Sequence, residues 1–109
     1  MILDEPEINL HPKWQIIFAE IIVLIQKEFK MHVICTTHSP YFLQALQVYS
    51  EYYDIDKKTR YYLSSIEDEK TFINDVTESI DEIYKLMAKP FDVLNKIQND
   101  IDQKNEENY

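Results

Sequence analysis

The residues best suited to chemistry are Asp4, Glu5 and His38. Asp4 and Glu5 follow directly on Met1-Ile2-Leu3, so an apolar run ends in two adjacent carboxylates. Neighbouring side chains on a strand point to opposite sides, which lets such a pair divide its work. One carboxylate can support Mg²⁺, a cation that takes few protein oxygens and keeps water and substrate phosphate as its other ligands. The next can orient or deprotonate a water that attacks a γ-phosphate. An imidazole at the same edge can contact that phosphate and the attacking water.

Each residue also has a plainer explanation. Two acids can end a strand in solvent, a lone His can sit at a strand end and bind nothing, and Asn9-Leu10-His11-Pro12 is explained by helix capping alone. Asp4, Glu5, Glu7, His11 and His38 together also permit a transition-metal site. No spacing among them matches a known ligand pattern, and the acids abut rather than share a helix face.

The elements that must position these groups read as follows. Residues 1–3 suit a buried parallel strand whose beginning is cut short, since strands usually run about five or six residues. Met1 therefore either starts inside a strand or is an internal residue of a longer chain. Pro12 fits the first helical position, and a helix is expected over residues 12–29. Its apolar residues cover more than one face, which predicts burial on a sheet and under a further layer. Residues 33–37 read as a second, central parallel strand. Strand, helix and strand make a right-handed βαβ unit. That unit would bring Asp4-Glu5 and His38 to the carboxyl edge of the sheet, where open α/β sheets bind ligands. Ser39 and Pro40 are a good N-cap and first residue for a helix ending near Val48.

The remainder carries less chemistry. Residues 51–58 read as irregular. Residues 60–65 and 70–75 predict a hairpin around Glu67-Asp68-Glu69, with a longer loop because the favoured two-residue turns want Gly. Thr77 or Ser79 would cap the next helix, Ser79 and Glu82 matching a capping box, with Ile80, Ile83, Tyr84 and Met87 along one stripe. Pro90 is expected to break or kink it. A last helix over residues 90–103 would carry Phe91, Leu94, Ile97 and Ile101 on one side with Val93 beside them, before a frayed polar tail at 104–109.

Bulk properties set limits. The chain has 109 residues, enough for one small domain. It contains no Gly, where average usage of roughly 7% would give about eight. A phosphate-cradling Gly-rich loop is therefore excluded from this sequence, and positive-φ positions fall to Asn or Asp. The net charge of −9 disfavours direct nucleic-acid binding by this piece. The single Cys35 suggests a reducing compartment. No signal segment is evident, and the apolar run over residues 21–25 is too short to span a bilayer. A soluble, cytoplasmic protein without membrane partners is expected.

Taken together, three motifs resemble the ABC-type ATPase head family in its soluble SMC-like and OLD-like branch. Members are often labelled AAA-type core-domain ATPases and frequently occur in bacterial phage-defence or DNA-maintenance systems. Ile2-Leu3-Asp4-Glu5-Pro6-Glu7 resembles the Walker B strand with its catalytic Glu. Asn9-Leu10-His11-Pro12 resembles the D-loop of this branch. Ile34-Cys35-Thr36-Thr37-His38-Ser39-Pro40 resembles the switch-histidine strand and loop.

The resemblance implies an α/β fold, part of a P-loop NTPase (ABC-type) parallel sheet with flanking helices, followed by a short hairpin and C-terminal helices. Residues 1–48 would form the Walker B to switch-histidine portion, and 49–109 a C-terminal extension of the same domain. Asp4 would support Mg²⁺, Glu5 would be the general base and His38 would contact the γ-phosphate of ATP. Asn9, Leu10 and His11 would lie at a head-to-head dimer interface. The family's Walker A loop, glutamine lid and signature motif have no counterpart here. The expected function is the C-terminal portion of an ATP-hydrolysing ATPase, competent only with the missing half in cis or in trans, with a nuclease as a further possible partner. The alternative is a non-catalytic truncated remnant or interaction module.

Overall fold

The computed structural model describes residues 1–107 and divides into two compact units, one spanning Met1–Tyr62 and a second beginning at Leu63. In the first unit, strand β1 (Ile2–Asp4) is followed by helix α1 (Pro12–Phe29), strand β2 (Ile34–Thr36) and helix α2 (Pro40–Tyr52). The strands pair in parallel with Ile2 opposite Ile34, Leu3 opposite Cys35 and Asp4 opposite Thr36. The expected α/β architecture is thus present, with a parallel pair, flanking helices and then a hairpin and helix.

Strand alternation decides which side is covered. Leu3, Val33 and Cys35 pack against a core of Ala19, Ile22, Phe42 and Ala45. Phe18 and Phe42 stack with ring centroids 6.2 Å apart. Ile2 and Ile34 point the other way and are 78% and 65% exposed. Asp4 and Thr36 share their parity and are exposed too. Among the described residues the further layer expected over α1 is not found: Ala19, Ile22 and Val23 are buried, while Trp14, Ile16, Ile17, Ile21 and Phe29 remain exposed.

Prolines set both helix starts, each at the first helical position. The α1 cap is His11, whose Nδ1 accepts from the Lys13 amide at 3.2 Å. The α2 cap is Ser39, whose Oγ accepts from the Phe42 amide at 3.3 Å. Helix α2 runs past Val48 to Tyr52, and a 3-10 turn at Asp56–Lys58 follows in the stretch expected to be irregular. At the far end of α2 the Tyr53 hydroxyl donates to Glu20 Oε1 at 2.7 Å, tying it to α1.

The absence of Gly has a visible consequence. Six described residues take positive φ: Glu5, Asn9, Lys30, Asp54, Asp68 and Glu69. Asn and Asp fill three of these as expected, but Glu5, Lys30 and Glu69 lack the short side chain that eases this conformation.

Strands β3 (Tyr62–Glu67) and β4 (Lys70–Asp75) pair as a hairpin, which from Leu63 onward belongs to the second unit. Its turn is only two residues long, Asp68 at φ 50° and Glu69 at φ 65°. The longer loop predicted from the missing Gly does not form, because both residues accept the left-handed backbone that a two-residue turn needs. A 3-10 turn at Thr77–Ser79 precedes α3 (Asp81–Glu107). Asp75 Oδ1 accepts from the Thr77 amide at 2.9 Å and from its hydroxyl at 2.6 Å, so the short side chain that organises this entry comes from Asp75.

Helix α3 is continuous through Pro90 rather than two helices. A proline ring forbids one intrahelical hydrogen bond, and one lost bond in 27 residues leaves the ladder on either side intact. The helix also takes in residues 104–107, part of the expected frayed tail. The rest of that tail, Asn108 and Tyr109, lies outside the described residues.

Candidate functional site

The parallel register carries the chain beyond Asp4 and beyond Thr36 at the same sheet edge. The Thr36 hydroxyl donates to Asp4 Oδ1 at 2.5 Å and accepts from the Glu5 amide at 3.0 Å. The Glu5 amide also reaches the Thr36 carbonyl at 3.1 Å. One threonine therefore fixes both the Asp4 carboxylate and the backbone that turns at Glu5.

That turn places Glu5 at φ 45°. Backbone held in a sparsely populated region costs of order 1–3 kcal/mol and collects at functional sites. Its effect is to bring Glu5 Oε1 within 3.3 Å of His38 Nε2. The His38 side chain is 91% exposed and that of Glu5 32%. A polar contact this open contributes little stability. The pair is available to a ligand rather than held in the core.

The loop behind the pair is tied to its neighbour. The turn hydrogen bonds Ile8 amide to Glu5 carbonyl and Leu10 amide to Glu7 carbonyl shape residues 5–10. Glu7 is buried, 4% exposed, and its Oε1 accepts from the Thr37 hydroxyl at 2.5 Å. Its Oε2 is buried with no hydrogen-bond partner among the described residues. Thr37 Oγ1 in turn accepts from the Ser39 amide at 3.0 Å. A second tie runs through Gln15. Its Nε2 donates to the Leu10 carbonyl at 3.0 Å, and its Oε1 accepts from the Ser39 hydroxyl at 2.6 Å.

Cys35 lies beneath the site, half-buried on β2. Burial, with the nearby Glu7 carboxylate adding to it, pushes its thiol up to about 11. The raised value favours the neutral thiol over the thiolate at neutral pH.

Of the residues singled out in the sequence, Asp4, Glu5 and His38 converge on one edge. Asn9, Leu10 and His11 lie beside them, all exposed, with Asn9 at φ 68° and His11 spent on capping α1. Thr36, Thr37 and Gln15 were not singled out. The two threonines lie inside the Thr36-to-Pro40 motif, so their neighbours were the signal. Gln15 carried none, since its partners sit five residues before it and 24 after.

A test of fit separates two groups. Asp4 offers an exposed carboxylate at a strand end with one oxygen engaged by Thr36, which suits Mg²⁺ held by one or two carboxylates, water and substrate phosphate. No cluster of three or more His, Cys, Asp or Glu able to enclose a metal exists among the described residues. A nucleoside triphosphate fits this chain only in part, because its phosphates need a glycine-lined backbone cradle and the sequence has no Gly. The apolar groove along α1 and α2, lined by Ile16, Tyr41, Gln44, Ala45, Val48 and Tyr49, contains none of the three chemical residues.

Residues 1–44 match the family model described as "AAA domain, putative AbiEii toxin, Type IV TA system". The matched span holds β1, α1, β2 and the start of α2, and so every residue of the site above. This portion of the chain is similar to an AAA-type ATPase domain. No curated protein and no solved structure matches the chain. Among the described residues, no helix is long and apolar enough to cross a membrane.

Proposed function

We propose that this chain is the hydrolytic portion of an ABC-type, cytoplasmic ATPase that works with a phosphate-binding loop supplied from elsewhere, in cis or by another polypeptide. The observation that carries it is the Glu5–His38 pair, 3.3 Å apart at the carboxyl edge of a parallel strand pair. It lies inside the span similar to an AAA-type domain.

In this reading Asp4 is the Walker B carboxylate and would hold Mg²⁺, which supplies charge neutralisation to the phosphate oxygens. Glu5 takes the proton of the attacking water as general base. His38 contacts the γ-phosphate and keeps Glu5 oriented through Nε2. Its high exposure leaves it free to meet the phosphate. Asn9, Leu10 and His11 form the D-loop and face a second head. Phage defence or DNA maintenance is the setting this reading favours, with a nuclease as the associated activity.

The test is Mg²⁺-dependent ATP hydrolysis by the full chain combined with a polypeptide carrying GxxxxGK[ST]. Glu5→Gln should lower turnover by at least about 100-fold, since it removes general-base catalysis. Turnover equal to that of the unsubstituted chain would remove Glu5 from the role given to it. A second reading, a non-catalytic interaction module, is favoured by the bare sheet face at Ile2 and Ile34. It predicts no turnover in any such mixture.

A further inference from the structure

We infer that Gln15 is a positioning residue, a side-chain clamp that makes the loop at residues 7–11 and the loop carrying His38 move as one body. The inference rests on the reading that Glu5 and His38 act on a terminal phosphate, and it adds how the state of His38 reaches the Asn9–His11 surface.

Gln15 sits on the first turns of α1, half-buried between the two loops. Its amide is used at both ends: Nε2 donates to Leu10 and Oε1 accepts from Ser39. A side-chain amide carries its donor and its acceptor on separate atoms, so the two partners can be held at the same time from one arm. The acceptor end holds a hydroxyl that is itself occupied, because Ser39 Oγ caps α2 through the Phe42 amide. The cap of α2, the residue after His38 and the carbonyl of Leu10 therefore hang on one group. Glu7 and Thr37 make the parallel connection on the buried side. Two ties between the same pair of loops resist rotation as well as separation, and a linked hydrogen-bonded network responds as a unit. A displacement of His38 by a bound or lost phosphate is then transmitted to Leu10 and His11 without a change in the sheet.

The two ends can be cut separately. Gln15→Met removes both hydrogen bonds at similar shape. Gln15→Glu keeps an acceptor for Ser39 and loses the donor to Leu10. The experiment is NMR on the labelled full chain, reading solvent exchange of the Leu10 amide and the ¹⁵N signal of the His38 imidazole at fixed pH. The Leu10 amide is held by the Glu7 carbonyl, so its exchange reads how firmly the loop at residues 7–11 is kept in place. Gln15→Met, which frees the Leu10 carbonyl, should speed that exchange several-fold and move the His38 signal. Gln15→Glu should speed Leu10 exchange while leaving the His38 signal in place. Ser39→Ala, which does not touch Leu10, should also speed its exchange. Gln44→Met on α2 should change neither.

A role in stability alone would move both signals together in both Gln15 variants. That pattern, or an unmoved Leu10 amide in Ser39→Ala, overturns the inference. The measurement needs no nucleotide. Failure of the assembled protein to hydrolyse ATP would remove the phosphate reading and leave the linkage standing. Unlinked loops in an assembly that does hydrolyse ATP would remove the linkage alone.

Discussion

Glu5 meets His38 at 3.3 Å from a backbone that stands at φ 45°. A Cβ makes that conformation unfavourable by about 1–2 kcal/mol. Comparing Glu5→Gly with Glu5→Ala isolates this cost, since both remove the carboxylate. Glycine ordinarily destabilises relative to alanine. Here the order should invert, with Glu5→Gly more stable by about 1 kcal/mol in urea denaturation. An alanine variant as stable as the glycine one would mean that the backbone at Glu5 is not left-handed. Cys35 gives a second expectation. Its thiol is pushed from 9.0 to about 11, first by burial and then by Glu7. At pH 8 its thiolate fraction should be about 100-fold below that of an unfolded chain. Iodoacetamide labelling should be slow by a similar factor and speed up about tenfold per pH unit to near 11. The sign for stability follows from the raised value. The neutral thiol favours the fold, so this contribution is intact below pH 9 and is lost as pH rises through 9 to 11. Cys35→Ala should flatten that part of the alkaline unfolding curve.

At the scale of elements, two of the places where the structure departs from sequence rules are also places to improve it. The hairpin turn sets Glu69 at φ 65°, where Gly is the preferred residue of an Asp-Gly turn. Glu69→Gly should stabilise the hairpin by about 1 kcal/mol, seen as slower amide exchange along β3 and β4. Pro90 interrupts the hydrogen-bond ladder of α3 opposite Leu86. Pro90→Ala should raise the thermal midpoint followed at 222 nm, the interior proline costing about 3 kcal/mol. These departures show what a sequence makes legible. Pro12, Ser39, Pro40 and the β-branched run at β2 act locally, so the strand–helix–strand–helix order could be read directly. The convergence of Asp4, Glu5 and His38 followed from that order, because parallel neighbours end at one edge. The roles of Glu7 and Gln15 could not be read. Their partners Thr37 and Ser39 are 30 and 24 residues away, and no periodicity encodes which polar side chain meets which across two loops. The rule that Pro ends a helix failed at Pro90 because a helix this long tolerates one missing bond.

For the molecule as a whole, charge and apolar exposure act against each other. The chain carries −9 at pH 7 and a pI near 4.6, so mutual repulsion opposes association at neutral pH. The sheet of the first unit invites association: with two strands, both are edges, and an unpaired edge is a template for another chain. Its outward face adds Ile2 and Ile34, directly opposite each other and both largely exposed. Acidification removes the repulsion without covering that face. Sedimentation velocity should therefore show a monomer at pH 7 giving way to larger species as the pH falls toward 4.6. If the sheet is the surface that sticks, Ile2→Lys with Ile34→Lys should suppress the larger species, because lysine at a strand edge opposes pairing. Lysine at Val48 and Tyr52, also exposed, on α2, adds the same charge away from the strands. Equal suppression by both pairs would assign the effect to charge alone. Suppression by the strand pair only would identify the bare sheet as the surface that associates.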